Sequence, residues 1–318
     1  MAMTPSTTAA RPREDLVGAF LGFDPQDAGY IGLELLGTIP GKKRTGRYAK
    51  VAAEEFTRLY DTKRAPRSPF GRSDTKFTYG EYTLEEYAWE EAIDRGEAED
   101  QSDFFNAQEL GAMKCADIVN RDIEAEIAAL IQNTTTWPLS GTTGLDTAVT
   151  WATIGSAVPI SDVDIGREFI KNKIGRYPNT LVIPPVAWNN LSMTSSITDR
   201  LKYTMPLAGN LPLDVLANLF KVRRVLVTGA VKNTANEGLT ASHSGVWSDS
   251  YAFLCYVGEG QDTRTPRVGA TFVKESMMGP AKIESYSQET IDSEVVRARM
   301  EADPVVIYPE AGFLLKID

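Results

Sequence analysis

The sequence predicts an α+β protein built from more than one structural unit, and three observations carry that prediction. Two segments rich in Tyr, Phe and Val within residues 41–93 have the composition of paired strands. One uninterrupted helical pattern follows over residues 102–132, and beyond residue 150 short apolar runs alternate with Gly and Pro breaks. At 318 residues the chain exceeds the usual size of a single core, so two domains are expected. Its 42% apolar content is that of a folded protein, and 25 Gly with 17 Pro are too few for a low-complexity chain.

Taken in order, residues 1–28 read as a polar, extended N-terminal arm, because Pro5, Pro12 and Pro25 interrupt any helix. Residues 30–39 suit a strand that Pro40-Gly41 ends. Residues 46–56 and 76–93 then form the limbs of a long hairpin around the tip Lys63-Arg64-Ala65-Pro66-Arg67-Ser68-Pro69-Phe70-Gly71-Arg72. In the second limb the alternation slips phase at Gly80-Glu81 and again at Glu85-Glu86, which calls for bulges or bends. Leu84, Tyr87, Ala88 and Glu91 could instead share a helix face, an alternative that the pattern leaves open.

Residues 102–132 give the strongest helix signal: Ser102 as N-cap, acids early, no proline, and an apolar stripe of Met113, Ala116, Val119, Ile123, Ile127 and Leu130. Such a helix would be on the order of 45 Å long. After a Thr/Gly-rich linker at 133–150, Ser161 reads as the cap of a helix that Gly175 ends. Residues 180–183 read as a buried strand and Pro184-Pro185 as the start of the next helix; a helix at 213–220 and a strand at 224–227 follow. Residues 246–257, 268–273 and 282–286 read as further strands. The last segment, 293–317, is expected to break at Asp303-Pro304, resume at 305–308 and 313–317, and return to the first domain's sheet.

Charge is divided as sharply as structure. Residues 41–80 hold eleven Lys/Arg against four acids, a net +7, in a chain of net −10. Residues 81–103 hold ten acids against Arg95 alone, a net −9. Neighbouring blocks of opposite sign, threaded with aromatic rings, form an arm suited to lie on another copy of the same chain. The candidate inter-subunit contacts are the cations Arg47, Lys63, Arg64, Arg67, Arg72 and Lys76, the rings Tyr79, Tyr82, Tyr87 and Trp89, and the acids Glu85, Glu86, Glu90 and Glu91. For each ring, packing beneath its own hairpin is the equal alternative.

Motifs of chemistry are weak by comparison. Gly37-Thr38-Ile39-Pro40-Gly41-Lys42-Lys43 is one residue short of a phosphate loop and lacks the Ser/Thr that would hold Mg²⁺, so it reads as a basic turn. His243 is the only histidine and sits in a polar loop, where an exposed spectator outweighs a catalytic base. Cys115 and Cys255 fall in apolar segments that suppress thiolate, and imply no disulfide framework. The acids Glu97, Glu99, Asp100 and Asp103 lack the glycine and terminal glutamate of a calcium loop. No catalytic residue, cofactor or metal site is expected. There is neither a signal peptide nor an apolar run near the roughly twenty residues of a membrane span, which points to a cytosol-like compartment. A pI near 4.9 argues against a protein devoted to gripping nucleic acid.

The order of these pieces resembles the HK97-type major capsid proteins of tailed bacteriophages. Gly46-Arg47-Tyr48-Ala49-Lys50-Val51, Lys63-Arg64-Ala65-Pro66 and Tyr82-Thr83-Leu84-Glu85-Glu86-Tyr87-Ala88 are similar to the limbs and tip of that family's extended loop. Asn179-Thr180-Leu181-Val182-Ile183-Pro184-Pro185-Val186-Ala187-Trp188 resembles the strand-to-helix passage of its axial domain, and Trp247-Ser248-Asp249-Ser250-Tyr251-Ala252-Phe253-Leu254 a later strand there. The stretch from Asp303-Pro304-Val305-Val306 to Ala311-Gly312-Phe313-Leu314-Leu315-Lys316 is similar to its usual ending.

The resemblance implies an N-terminal arm at 1–28, an extended loop at 41–93, an axial domain at 155–281, and a peripheral domain from 29–40, 94–154 and 282–318 with 102–132 as its spine helix. It also implies a structural protein without enzymatic activity that assembles as hexamers and pentamers into an icosahedral shell around double-stranded DNA, in the host bacterial cytoplasm and then in the virion. Portal and decoration proteins are the further expected partners. Only about a dozen polar residues precede Asp15, so a separate scaffolding protein is expected rather than a fused one. The lysine-to-asparagine cross-link of some members is not carried over, since the sequence supplies neither partner nor activating acid for Lys63 or Lys76. Two rival readings stay open: an encapsulin-type compartment of the same fold holding enzyme cargo, and a hydrolase with an acidic site.

Overall fold

A computed structural model of the chain describes residues 11–12, 29–101, 106–141, 143–201, 211–236, 238–278 and 281–318. The expected N-terminal arm lies outside them apart from residues 11–12, as do Ser102 and Asp103. Among the described residues two principal sheets and one long helix organise the chain.

The first sheet has six strands in the order β1 (Arg11–Pro12), β13 (Lys282–Gln288), β14 (Ser293–Val306), β12 (Gly269–Lys274) and β2 (Thr38–Gly41), with β5 (Glu85–Asp94) on the opposite side of β14. β14 is the backbone of this sheet. Its first half is paired on both sides, by β13 and by β5, and its second half by β12. Where a break was expected at Asp303-Pro304, the strand runs straight through. Thr271, opposite Pro304, sends its N–H to Gly37 O at 2.9 Å on the β2 side, so Pro304 turns its nitrogen away from β12. On that other side β5 has already ended, its last pair being Glu85 with Ala302. No ladder hydrogen bond is lost there, which is the condition under which a strand tolerates proline.

Helix α1 (Gly32–Leu36) stands where a strand was expected. Its first N–H groups are taken by a side chain from elsewhere: Glu124 accepts from Ile31 N at 3.1 Å and Gly32 N at 2.7 Å. A distant carboxylate thus stabilises the turn that local pattern did not announce. α2 (Arg95–Gln101) continues the acidic segment as a helix, and α3 (Ala107–Ile131) is the long rod, about 37 Å at the α-helical rise. Its N-cap is Asn106, whose side chain accepts from the amides of Gln108 and Glu109. The predicted stripe holds at Ala116, Val119, Ile123 and Ile127, widened by Ala112, Cys115, Ala128 and Ile131, and it packs on β14 and β5.

The second sheet has the order β6 (Gly144–Asp146), β15 (Gly312–Lys316), β11 (Tyr251–Cys255), β7 (Thr180–Ile183) and β8 (Arg224–Val227). β15 therefore does not return to the first sheet; it lies antiparallel to β11, burying Phe313, Leu314 and Leu315. Helix α4 (Pro159–Ile174) covers this sheet and ends at Gly175 in the left-handed conformation, φ 73°, as its glycine predicted. Its N-cap is Val158 rather than Ser161, with Pro159 at the first turn, where a missing N–H costs nothing. β7 and β8 run parallel, joined through α5 (Pro185–Met193), α6 (Ser195–Leu201) and α7 (Leu213–Leu219). A small hairpin, β9 (Val231–Asn233) with β10 (His243–Gly245), projects separately and carries the exposed His243.

Candidate inter-subunit surface

The arm begins as a two-stranded ribbon, β3 (Thr45–Val51) antiparallel to β4 (Phe77–Thr83). The expected second limb is divided at Leu84: β4 stays in the ribbon, while β5 leaves it to join β14, so Glu85–Asp94 belongs to the body and not to the arm. The helical alternative for this stretch is thereby excluded. Within the ribbon Gly46 faces Tyr82 and Tyr48 faces Gly80, and each ring lies across the facing glycine, so that a Cβ on either would strike it. The two rings then stack on Phe272 of β12, Tyr82 at 4.4 Å and Tyr48 at 5.2 Å between centroids. Lys50 reaches Ile307 O at 3.1 Å, and Val51 N donates to the Tyr308 hydroxyl at 3.0 Å. One face of the ribbon is thus seated on the molecule's own body. The other face presents Tyr79, 71% exposed, Phe77, and the solvent-exposed pair of Arg47 with Glu81 at 2.9 Å.

Beyond the ribbon the chain leaves the body. Residues 57–79 are exposed except for Ser68, and the hydrogen bonds recorded for residues 58–75 reach no further than Glu55. Leu59 is 96% and Phe70 77% exposed, and the Arg64 guanidinium lies over the Phe70 ring at 4.2 Å. Arg67 holds a left-handed turn, φ 66°. Among the described residues Lys63, Arg64, Arg67, Arg72 and Lys76 have no ion-pair partner. Sequence reading picked out these cations but not Leu59 or Phe70 as the exposed apolar groups beside them.

The acids meet the opposite circumstance. β5 sends Glu86 and Glu90 to the outer sheet face, where Glu86 pairs with Arg299 at 3.4 Å and Glu90 accepts from the Tyr286 hydroxyl at 3.2 Å. At the centre of that face Glu284, its side chain 5% exposed, receives Arg297 at 2.6 Å, Arg299 at 3.1 Å and Lys282 at 3.2 Å. Burial pushes its carboxyl up, and the hydrogen bonds from Arg297 and Lys282 with the nearby guanidiniums more than reverse that, leaving it below the ordinary carboxylate range. The alternate residues of β5 face α3: Glu91 pairs with Lys114 at 2.6 Å, and the Tyr87 hydroxyl donates to Glu126. Trp89, between them, keeps 51% exposure.

One acidic spot has no counter-charge among the described residues. Burial, then Glu85 and Asp303, hold the Glu126 carboxyl above its usual range, and burial and Glu85 do the same for Asp303, which accepts the Thr83 amide at 2.7 Å. This spot lies at the Leu84 junction where arm and body part.

Elsewhere the chemistry is quiet. Burial raises the Cys115 thiol to about 11 and Cys255 to about 12, so neither is a nucleophile at neutral pH. Among the described residues no group of three His, Cys, Asp or Glu could hold a metal ion, and no helix is long and apolar enough to cross a membrane.

No family model matches the chain. A curated relative, the major capsid protein of Burkholderia phage BcepMu, is 26% identical over 295 residues, 91% of each chain. A phage-related protein of Bordetella bronchiseptica superposes with a TM-score of 0.71 at 20% identity, covering 97% of this chain and 98% of that one. The capsid of cyanophage P-SCSP1u gives 0.57 at 11%, covering 89% and 86%. The fold is that of HK97-type phage capsid proteins, α+β.

Proposed function

We propose that this chain is the major capsid protein of a tailed bacteriophage, the repeating subunit of a shell that encloses double-stranded DNA. The observation that carries the reading is the arm. A segment with exposed Leu59 and Phe70 and unpaired cations, held away from its own body on a clamped base, is a contact surface awaiting a like molecule. The BcepMu relative, aligned across 91% of this chain, supports the same role. The role is structural rather than catalytic.

In this reading the ribbon and tip form the extended loop that crosses a neighbour within hexamers and pentamers. The sheet around β14 with α3 is the peripheral domain, and residues 155–281 supply most of the axial domain. Arg47, Lys63, Arg64, Arg67, Arg72, Lys76 and Tyr79 are the contributing side of the contact. Glu85 and Trp89 are its receiving side, whereas Tyr82, Tyr87, Glu86, Glu90 and Glu91 mainly hold the subunit together. Single exposed ion pairs contribute only about 0–1 kcal/mol, so closure depends on many contacts repeated and on buried rings. A net charge of −10 suits a wall that must not adhere to packed DNA. Scaffolding and portal proteins are the further partners, and the particle matures from the host cytoplasm to the virion.

Negative-stain microscopy of the purified full chain, with and without a co-expressed scaffolding protein, tests this directly. Uniform closed particles containing nucleic acid are expected. Particles filled with an enzyme would transfer the chain to the encapsulin class, and a chain that stays monomeric in its native setting would end the shell reading altogether.

A further inference from the structure

Between β5, α3 and the β9–β10 hairpin lies an open groove of 390 Å³ with Tyr87, Trp89, Ile118, Val119 and Val246 as its apolar walls. Asp122, Arg121 and Lys232 also line it, and Arg121 is already tied to Asp117 on the same helix. Through the Tyr87 hydroxyl the groove adjoins Glu126, and with it Glu85 and Asp303, for which the described residues supply no cation. An apolar slot with uncompensated negative charge at one end calls for a ring accompanied by a cation. The arm carries such a unit: Phe70, 77% exposed, with the Arg64 guanidinium stacked on it at 4.2 Å and Lys63, Arg67 and Arg72 alongside.

We propose that the groove beside Trp89 is the receptor for the arm tip of a second copy of this chain, Phe70 entering against Trp89 and Arg64 turning toward Glu126 and Glu85. The proposal rests on the shell reading and adds to it the place where each arm ends. The tip makes no recorded hydrogen bond to its own body beyond Glu55, which leaves it free to serve another subunit. Trp89 and Phe70 are both half or more exposed, so neither is needed to hold the isolated subunit together.

The test is cross-linking in assembled material. Particles purified from cells co-expressing a Phe70→Cys chain and a Trp89→Cys chain, then treated with copper–phenanthroline so that the copper and dissolved oxygen take the two electrons, should yield a disulfide-linked heterodimer on non-reducing gels, with none from either variant alone. Cys115 and Cys255 are buried and give no background. In parallel, Phe70→Ala and Trp89→Ala should each raise the concentration needed for assembly about tenfold, and the double variant should be no worse than the poorer single one, because both remove the same contact. Circular dichroism melts of the two variants check that the subunit fold is kept, and the cross-link decides the matter if either variant fails that check. Particles that form normally without the cross-link, or two effects that multiply, overturn the groove proposal and leave the shell reading standing. A different protein captured at position 89 overturns it as well. A wild-type chain that never leaves the monomeric state overturns both.

Discussion

The acidic strand Glu85–Asp94 and the mainly basic tip at residues 57–76 are neighbouring stretches of opposite net charge, and the fold treats them oppositely. The strand is woven into the first sheet by a ladder along β14, and Arg299, Tyr286 and Lys114 take up its Glu86, Glu90 and Glu91 carboxylates. The tip has almost nothing: Arg58 finds Glu55, and the four cations from Lys63 to Arg72 find no carboxylate among the described residues. Charge that is paired inside a subunit supports that subunit, whereas charge left unpaired on an extended tip is available to a neighbour. In the proposed shell the two blocks therefore take different parts. The boundary between them is Leu84, where the ribbon ends and the sheet begins.

If the body side of that boundary carries the subunit's stability, the largest loss should follow removal of the ring on which the ribbon sits. Phe272→Ala deletes the platform under Tyr48 and Tyr82 and should cost about 3–5 kcal/mol in urea unfolding of the isolated chain. A loss below about 1 kcal/mol would mean that the ribbon is not seated as described. Next comes Glu284→Gln, which strands Arg297 and Arg299. Breaking a buried pair costs about 3–5 kcal/mol, and since the two guanidinium side chains keep 32% and 27% exposure, about 2–3 kcal/mol is expected here. The Glu284 carboxyl is depressed in the folded state, so its contribution is present above the ordinary glutamate pKa and is lost as pH falls through the folded value. The variant's stability should accordingly fall less steeply than wild type in acid.

How much of this was legible in sequence depends on distance along the chain. The stripe of Val119, Ile123 and Ile127, the stop at Gly175 and the strand Arg224–Val227 are local signals, and each lies where the pattern put it. The phase slip at Glu85-Glu86 was real information too: it marks the point at which the strand changes partner from β3 to β14. What could not be read was which partner, because Glu86 and Arg299 are 213 residues apart. The same limit explains α1, whose start depends on Glu124 some ninety residues later. It also explains Pro304, an apparent strand break whose cost vanishes only because β5 has ended beside it. Of the candidate contacts, the exposure of the tip cations followed from their local composition, while the internal use of Tyr82, Glu86 and Glu91 required the fold.

Glu124 offers a third case against which to sharpen the comparison, an acid held inside without a cation among the described residues. It accepts from Ile31 N, Gly32 N and Trp247 Nε1, the last at 2.6 Å, yet burial outweighs those three bonds and keeps its carboxyl above the ordinary range. A raised carboxyl is the reverse of Glu284: the folded state holds the proton more tightly, so stability declines as pH rises from about 4.3 to the folded value and is flat above it. Glu124→Gln retains one acceptor, sets an NH₂ against a backbone or indole N–H, and should cost about 1–2 kcal/mol near neutral pH. Its melting profile should lack the decline on the acid side that wild type shows. A variant whose acid profile matches wild type would assign that decline to Glu126, Asp162 or Asp303, which burial also raises.

The smallest effect on the subunit should come from the tip, and there the comparison is most exposed to failure. Replacing Lys63, Arg64, Arg67 and Arg72 together by Ser removes four cations that have no carboxylate partner among the described residues, Arg64 lying only over the exposed Phe70 ring, so unfolding of the isolated subunit should shift by no more than about 0.5 kcal/mol. Assembly should respond in the other direction, with particles lost from microscopy or formed only at much higher protein concentration. Raised salt should weaken wild-type assembly more than that of the variant, because the Debye length shrinks from about 10 Å at 0.1 M to about 3 Å at 1 M and the variant has less charge to screen. A quadruple variant that unfolds early, or one that assembles as readily as wild type at low salt, would place the tip with the acidic strand as part of the subunit's own framework.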